Sequence, residues 1–420
     1  MTAMEKRINV LPAPTWNQLS VNAAEEGLSL PDLSAWQGLS AADEKKEPQE
    51  FRTPSPAGLP TPCFTVSALP DNTETLSQEE AERMFRNMPE SGMGAYYDES
   101  VRTQKNAEVL IRVKASAKDE KPASDRNSRN AAANGDTASS GALLRTELLL
   151  TKKEACALSH HRILLEEGAR LTLVEIIRSG ASSVSDGDFP ALAADLTEIY
   201  AEKGARLQLF QIQAAGPTAR SYQAVSIHAE EGAEVEVVRA TLGSAAALCG
   251  SRALLLGTGS SYRLSAIYFA AGTQRFDFND IADHRGRNTR SDLCTAGVLA
   301  GRSDKVLRGT IDFKAGAARA TGHESETVLL LGNGVRNRTV PLILCGEENV
   351  EGQHAASSGR PDAAQLYYLT SRGLTKAQAE RLLIEGRFAP VLDRIPEEAL
   401  RKLLSDEIGR RLTQYETETI

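Results

Sequence analysis

One short pattern, repeated three times, constrains this chain more than any other feature. The sequence Gly-Ala-x-(Leu/Val)-x-(Leu/Val) begins at Gly168, Gly204 and Gly232. Each copy follows an acidic turn (Glu166 and Glu167, Glu202 and Lys203, Glu230 and Glu231), and before each turn lies another short strand-like segment, at 162–165, 197–200 and 224–228. Within the copies Leu171 and Leu173, Leu207 and Leu209, and Val235 and Val237 alternate with polar neighbours, which turns one face of an extended chain toward a core. The copies recur 36 and 28 residues apart, too far for hairpins and suited to one coil of a solenoid with variable loops. A single coil cannot bury its inner face, but a stack can, with glycine at the shared corners. Segments 253–256, 262–269, 276–281, 306–313, 327–331 and 341–345 continue the style more weakly. The pattern predicts a mainly β chain with a parallel β-helix core. An antiparallel jelly roll whose corners read Gly-Ala is the alternative.

The flanks read differently. The N-terminal 95 or so residues are rich in Pro, Glu and Ser, with a helix predicted from the capping box of Ser77 and Glu80 through Met84 and Phe85 to a break at Pro89. Segments 108–113 and 143–150 read as strands, and 114–141 between them as a polar, disordered surface insertion. After about residue 355 the pattern turns helical. One helix starts at Asp362. A second opens on the capping box of Thr375 and Gln378, with Ala379, Leu382 and Leu383 on one face and Gly386 as its stop. A third begins with Pro396 at its first position and aligns Leu400, Leu403, Leu404 and Ile408. These helices either cap the end of the solenoid or offer apolar grooves to a partner. The expected division is a helical and irregular region at 1–100, a β-helix core at 101–354 and a helical domain at 355–420.

Composition excludes several function classes. With 48 Lys+Arg against 56 Asp+Glu, a net charge of −8 and no basic cluster, nucleic acid is not expected as the main ligand. No run approaches the roughly 18 apolar residues of a membrane span, and residues 1–10 lack the apolar core of a signal peptide, so a soluble, cytoplasmic protein is expected. Cys63, Cys156, Cys249, Cys294 and Cys345 are odd in number and widely spaced, which signals neither a disulfide framework nor a local zinc knuckle. Any metal would need ligands distant in sequence or from a second chain. No P-loop, G-x-G-x-x-G, G-x-S-x-G or H-E-x-x-H motif occurs.

Residues from Ser159 onward resemble the SufB/SufD family of iron–sulfur cluster assembly scaffold proteins. The likeness rests on 159–175, on Asn288 to Asp292 with Gly297, on Arg308 and Gly309, and above all on Gln353 and His354 through Gly359 to 366–374 (LYYLTSRGL). This last segment is similar to the family's H-x-A-x-x-G-x-x-x-x-x-x-L-F-Y-L-x-S-R-G-[IL] signature. Leu369 stands where SufB-like chains carry cysteine, so the resemblance is to a SufD-like subunit; Ala355, Ala356, Ser357, Pro361 and the N-terminus depart from the common pattern.

The resemblance implies a right-handed parallel β-helix between helical regions. It also implies a non-catalytic scaffold that pairs with a SufB-like subunit and docks a SufC-like ABC-type ATPase through its C-terminal helices. The cargo would be a transient iron–sulfur cluster shared with the partner subunit, with no cofactor on the isolated chain. A homodimer is the alternative pairing.

His354 is the candidate cluster ligand, for both metal and cofactor, because imidazole can join thiolates supplied by another chain. Tyr368, Arg372, Gly373, Leu374, Leu382 and Leu383 are the candidate partner surface; without the resemblance, Gly373 and Leu374 read as a helix stop with its apolar anchor. Cys345 sits after Leu342, Ile343 and Leu344 and reads as buried and inert. His160 and His161 face opposite ways in extended chain and are not expected to share an ion; His284 is a metal ligand in principle only. A carbohydrate-active β-helix enzyme using carboxylates among Asp277, Asp280, Asp283 and Asp292, or a homodimeric binding solenoid, are the readings from other classes.

Overall fold

The computed structural model describes residues 8–13, 21–24, 63–116, 142–150, 156–179, 191–395 and 397–419. Most of the expected insertion, residues 117–141, lies outside the described residues, as does Pro396. The chain runs through β1 (Cys63–Val66), β2 (Thr73–Thr75), α1 (Gln78–Met84) and α2 (Ala95–Gln104). Next come β3 (Ala107–Val113), β4 (Ala142–Leu150), β5 (Cys156–Leu165), β6 (Arg170–Ser179), β7 (Leu192–Ala201), β8 (Arg206–Ala214), β9 (Arg220–Ala229) and β10 (Glu234–Thr241). The later coils are β11 (Ala246–Leu255), β12 (Ser261–Ala270), β13 (Arg275–His284), β14 (Arg290–Ala300), β15 (Asp304–Phe313), β16 (Thr321–Leu331), β17 (Arg336–Cys345) and β18 (Glu351–Gly359). Helices α3 (Ala363–Ser371), α4 (Lys376–Leu392) and α5 (Glu398–Thr419) follow.

Successive strands alternate between two sheets. Sheet I has the order β1-β4-β6-β8-β10-β12-β14-β16-β18, and sheet II the order β17-β15-β13-β11-β9-β7-β5-β3-β2. From β3 to β18 the described pairings within each sheet are parallel, while β1 and β2 close the N-terminal ends antiparallel. This is a parallel β-solenoid, and it disposes of the jelly roll. The repeat sets the register: Leu171 lies beside Leu207, Leu207 beside Val235, and Val235 beside Tyr262. These residues are at most 3% exposed and belong to the core between the sheets. Each large apolar side chain so buried contributes about 1.5–3 kcal/mol.

The corners explain why the repeat begins with glycine. Gly168, Gly204, Gly232 and Gly259 hold φ between 66° and 73°, and Asn288 and Arg319 adopt the same left-handed turn in the next coils at 56° and 63°. Each N–H at this corner donates to a carbonyl of the following coil, from Gly168 to Lys203 (2.9 Å) through Asn288 to Ala318 (3.0 Å). Only a residue tolerant of positive φ can keep that ladder going, and glycine does so without a Cβ penalty.

Both outer faces are covered. Segment 8–11 and α2 pack on sheet II, where Ile8, Met93, Tyr97 and Val101 meet Leu158, Leu196, Tyr222 and Leu248. Helices α4 and α5 lie along sheet I, with Ile384, Phe388, Val391, Leu400, Leu404 and Ile408 against Phe210, Ile212, Ile267, Phe269 and Val298. They do not cap the end of the solenoid, because the outward rows of sheet I are themselves apolar. Both predicted capping boxes form.

Three expectations are corrected. Gly386 does not stop α4, which continues through it and through Pro390 to Leu392 because Phe388 and Val391 are buried against the sheet, outweighing roughly 1 kcal/mol of glycine propensity. The last strand runs past residue 354 to Gly359: its small polar residues look like loop, but the ladder with β16 holds them extended. The N-terminal region also contributes β1 and β2 to the sheets. Among the described residues no helix is long and apolar enough to cross a membrane.

Candidate functional site

The solenoid's two ends differ. Among the described residues, at the C-terminal end β17 pairs only with β15 and β18 only with β16, so each sheet finishes there on an unpaired edge. Every residue of β18 is exposed. Edge strands present rows of free N–H and C=O groups that invite another strand, and proteins usually blunt them with proline or charge. β17 is so blunted, by Pro341, Arg336 and Arg338. β18 is not: beyond Glu351 it carries only Gly, Gln, His, Ala and Ser.

His354 sits mid-way along this open edge, opposite Glu324 of β16. A Cβ on Gly352, two residues before it on the same face, would meet Phe313 and Ile343 at 3.1 and 3.2 Å. His354 therefore projects on the side of the gap between the sheets, where the missing next coil would stack. Among the described residues two three-residue groups have converging ligand atoms and His354 belongs to neither, so it offers a single donor at the rim.

Beneath that rim the interior is polar. Glu324 is buried, and desolvation, then Glu326 and Asp280, push its carboxyl up to about 8; one of its oxygens has no hydrogen-bond partner. The Glu326 carboxylate accepts from Lys305 Nζ (2.6 Å), Tyr268 Oη (2.9 Å) and Thr339 Oγ1 (2.6 Å). Burial draws the Lys305 ammonium below its usual value, with Glu326 opposing. Further in, Arg239 donates two hydrogen bonds to Asp280 (2.9 and 2.6 Å) and lies 5.3 Å from the centre of the Phe278 ring. Sequence reasoning missed Glu324, Glu326, Lys305 and Arg239. The available signal was charge on inward positions of β10, β15 and β16, which the alternation rule assigns to core.

The second exposed region is the α3–α4 corner. No residue of α3 is buried. Among the described residues the exposed large apolar side chains are Val10, Leu143, Leu256, Tyr367, Tyr368 and Leu382, so half of them cluster here. An open groove of about 370 Å³ is lined by Asp362, Ala364, Gln365, Tyr368, Leu369 and Leu383. The Arg372 guanidinium lies 5.2 Å from the Tyr368 ring centre, and Gly373, at φ 96°, ends α3 and turns the chain into Leu374. Tyr368, Leu382 and Leu383 thus share a corner with Arg372, Gly373 and Leu374.

The remaining candidates separate clearly. Cys345 is exposed, contrary to expectation, because β17 is an edge strand and the apolar run before it has no further coil to cover it. Cys156 and Cys249 are buried, and desolvation pushes their thiols up to about 12 and about 11. His284 is buried between Thr289 and Ser291, 2.8 Å from each hydroxyl, and burial lowers it to about 4, a structural role. His160 and His161 do face opposite ways, His160 toward Glu198 (2.6 Å) and His161 toward Glu175 (2.8 Å). Asp277 pairs with Arg308, Asp280 with Arg239 and Asp283 with Arg252, which ties up these carboxylates rather than leaving an acid–base pair facing a cleft.

Residues 148–387 match the sequence description of the SUF system FeS cluster assembly, SufBD core domain. The chain belongs to this family. Its relatives include an iron–sulfur cluster assembly protein SufD of Bacillus subtilis, 34% identical over 158 residues that cover 38% of this chain and 36% of that protein. A SufBD family protein of Mycobacterium leprae is 30% identical over 53% of this chain and 59% of its own length. Another, from Mycobacterium tuberculosis, is 27% identical over 61% and 64%. The alignments thus span between about a third and two thirds of these SufBD relatives. The matched core runs from the end of β4 into α4, and so contains both the His354 rim and the α3–α4 corner.

Proposed function

We propose that this chain is a non-catalytic, cytoplasmic SufD-like scaffold subunit. In this reading β18 pairs with the matching edge of a SufB-like subunit, and His354 supplies one ligand to an iron–sulfur cluster that the partner's thiolates complete. The cluster is cargo, built at the junction and passed on. A SufC-like ATPase docks at the α3–α4 corner through Tyr368, Arg372, Gly373, Leu374, Leu382 and Leu383, and its movement opens the junction.

The observation that carries this reading is the long, unblunted, wholly exposed edge strand with one imidazole at its middle. A lone histidine cannot hold a cluster, whereas a histidine on an edge built to receive a second chain needs no further ligand from its own. The exposed aromatic corner supports a separate docking element, since exposed Tyr beside Arg is the composition of interface anchors.

The test is co-expression with SufB-like and SufC-like partners, followed by anaerobic cluster reconstitution of the purified complex with and without His354→Ala. The expected result is co-purification of all three chains and a complex that assembles normally but loses most of its cluster. Equal cluster yield removes His354 from the site, and failure to bind either partner overturns the scaffold role. A homodimer as the sole assembly would place β18 against a second copy of this chain.

A further inference from the structure

On the other face of sheet I from His354 lies a cluster that the scaffold reading leaves unused. Asp292 and Cys294 are two apart on β14 and share its outward face, while His323 on β16 stands beside Asp292 and Ser325 beside Cys294. The Asp292 Oδ1 atom is the hub: His323 Nδ1 lies 3.0 Å from it and Cys294 Sγ 3.3 Å. Ser325 donates to Cys294 Sγ at 3.3 Å. One carboxylate oxygen, one imidazole nitrogen and one thiol sulfur fall within 4.8 Å of one another. The His323 and Asp292 side chains are 45% and 40% exposed, so solvent and ions reach the cluster.

We infer that Asp292, Cys294 and His323 form a site for a thiophilic first-row divalent cation, Zn²⁺ or Fe²⁺, held by three protein ligands with its remaining position open to solvent. The separations carry the argument. Ligands bound at about 2.0–2.3 Å around a tetrahedral cation stand about 3–4 Å apart, and the hub distances fall there before any ion is present. Two protons fill that space in the metal-free chain: the thiol proton shared with Asp292 and the imidazole proton on Nδ1. Binding replaces both. The thiol gives up H⁺ to solvent as the S–metal bond forms, and the imidazole moves its proton to Nε2 and coordinates through Nδ1. A Cys, His and Asp set selects borderline-soft cations over Mg²⁺ or Ca²⁺, which take oxygen.

The surroundings fit a supported site. Ser325 offers a hydroxyl proton to the sulfur that becomes a thiolate, as outer-shell donors do. Two cations are near: Arg263 Nε lies 3.9 Å from Asp292 Oδ2, and Arg394 approaches Cys294. Both are engaged by Glu236, at 4.0 and 2.9 Å, which limits their repulsion of a bound ion. The other convergent group, His161 with Glu175 and Asp195, differs in kind. It is fully buried, and Thr197, Gln211 and Ser159 already donate to its carboxylates. That group is a closed polar node of the core.

The experiment uses the full chain, reduced and stripped of metal, titrated anaerobically with Co²⁺ as the spectroscopic probe. The expected result is a thiolate-to-cobalt charge-transfer band saturating at a single equivalent, with about one proton released per ion in weak buffer. Zn²⁺ displaces Co²⁺, and Fe²⁺ displaces it only in large excess, as the order of divalent affinities requires; which of the two the protein carries is read from metal analysis of chain purified without chelator. Cys294→Ser abolishes the band. His323→Ala weakens binding by about 100-fold or more, beyond the usual outer-shell effect. Cys345→Ser and His354→Ala leave the titration unchanged, which separates this site from the rim. A folded parent chain with no band, or a band that survives Cys294→Ser and disappears in Cys345→Ser, overturns the inference.

Discussion

The buried pair of Lys305 and Glu326 gives the sharpest test of the packing argument. Lys305 is completely buried and Glu326 is 2% exposed, with Nζ and Oε1 2.6 Å apart. At an effective dielectric of about 20 their attraction is about 6 kcal/mol, and removing two ions from water costs several kcal/mol each, so the pair as a whole is close to neutral. Lys305→Met keeps the volume of the stem but leaves the carboxylate buried without its cation. Tyr268 and Thr339 still donate to it, which sets the expected loss at about 3 kcal/mol, the lower end of the usual range. Adding Glu326→Gln should restore most of that, leaving a cost of about 1 kcal/mol, because the amide oxygen still accepts from one of the two hydroxyls and the amide NH2 donates to the oxygen of the other. Solenoids open coil by coil, so the assay is hydrogen exchange of β15 and β16 rather than a global melt. Exchange there should quicken roughly a hundredfold in the single variant and less than tenfold in the double, at about 1.4 kcal/mol per tenfold. A single variant that exchanges like the parent, or a double variant costing the sum of both changes, refutes the reasoning.

Three further outcomes follow from the same coordinates. Glu324 has a folded-state pKa of about 8 against an ordinary 4.5, so the native state keeps a proton that the unfolded chain releases above pH 4.5, and stability falls as pH rises toward 8. Glu324→Gln should match the parent at pH 4 and exceed it by up to about 3 kcal/mol at pH 7 in urea unfolding; an equal effect at both pH values would deny the shift. Gly257→Ala should cost about 1–3 kcal/mol in thermal unfolding, since its Cβ would lie 1.9 Å from the backbone nitrogen of Glu231, while Gly204→Ala meets nothing within 4 Å and pays only for its φ of 67°, about 1–2 kcal/mol. Tyr368→Ala, on an exposed helix, should leave the melting temperature unchanged within error and reduce retention of a SufC-like partner by at least tenfold in a pull-down, and unaltered retention would move the docking surface elsewhere.

The first coils were legible because their corners demand glycine and their inner rows are Leu and Val. The later coils were legible as strand segments, most of which fall on β11 to β17, but not as copies of the repeat, because Asn288 and Arg319 occupy the same left-handed corner without announcing it. β14 hid for a related reason: Asp292, Cys294 and Ala296 occupy its outward row where an apolar strand was sought, and that row is only half covered. The interior ion pairs were invisible since their partners lie on different sheets, and only the facing of the two sheets across the core brings Lys305 of β15 to Glu326 of β16. Cys345 shows the converse error. Leu342, Ile343 and Leu344 are a core-like run, but burial depends on the neighbouring coil, and sequence does not reveal that β17 is the last of its sheet. The family signature around His354 was readable, yet its exposure is a property of the unfinished end.

That unfinished end also bounds what a partner of the proposed kind would have to contribute. At the N-terminal end β1 and β2 reverse direction and close the ladders, which is what a terminal repeat has to do to avoid growth. At the other end β18 offers nine residues of free edge, and net hydrogen bonds of about 0.5–1.5 kcal/mol each over half or more of them give several kcal/mol, no more than association itself costs. Backbone pairing alone therefore gives weak binding to any strand, and selectivity has to come from side chains entering the gap between the sheets. The residues of β18 on that face are Gly352, His354, Ala356 and Ser358, all small except the histidine. They leave room for a partner's larger groups on either side of the imidazole. Filling that room with Ala356→Phe should leave the isolated chain as stable as before, because β18 is exposed throughout, while abolishing SufB-like pairing in size-exclusion chromatography. If the filled edge still pairs, the partner does not enter the gap, and His354 does not face it.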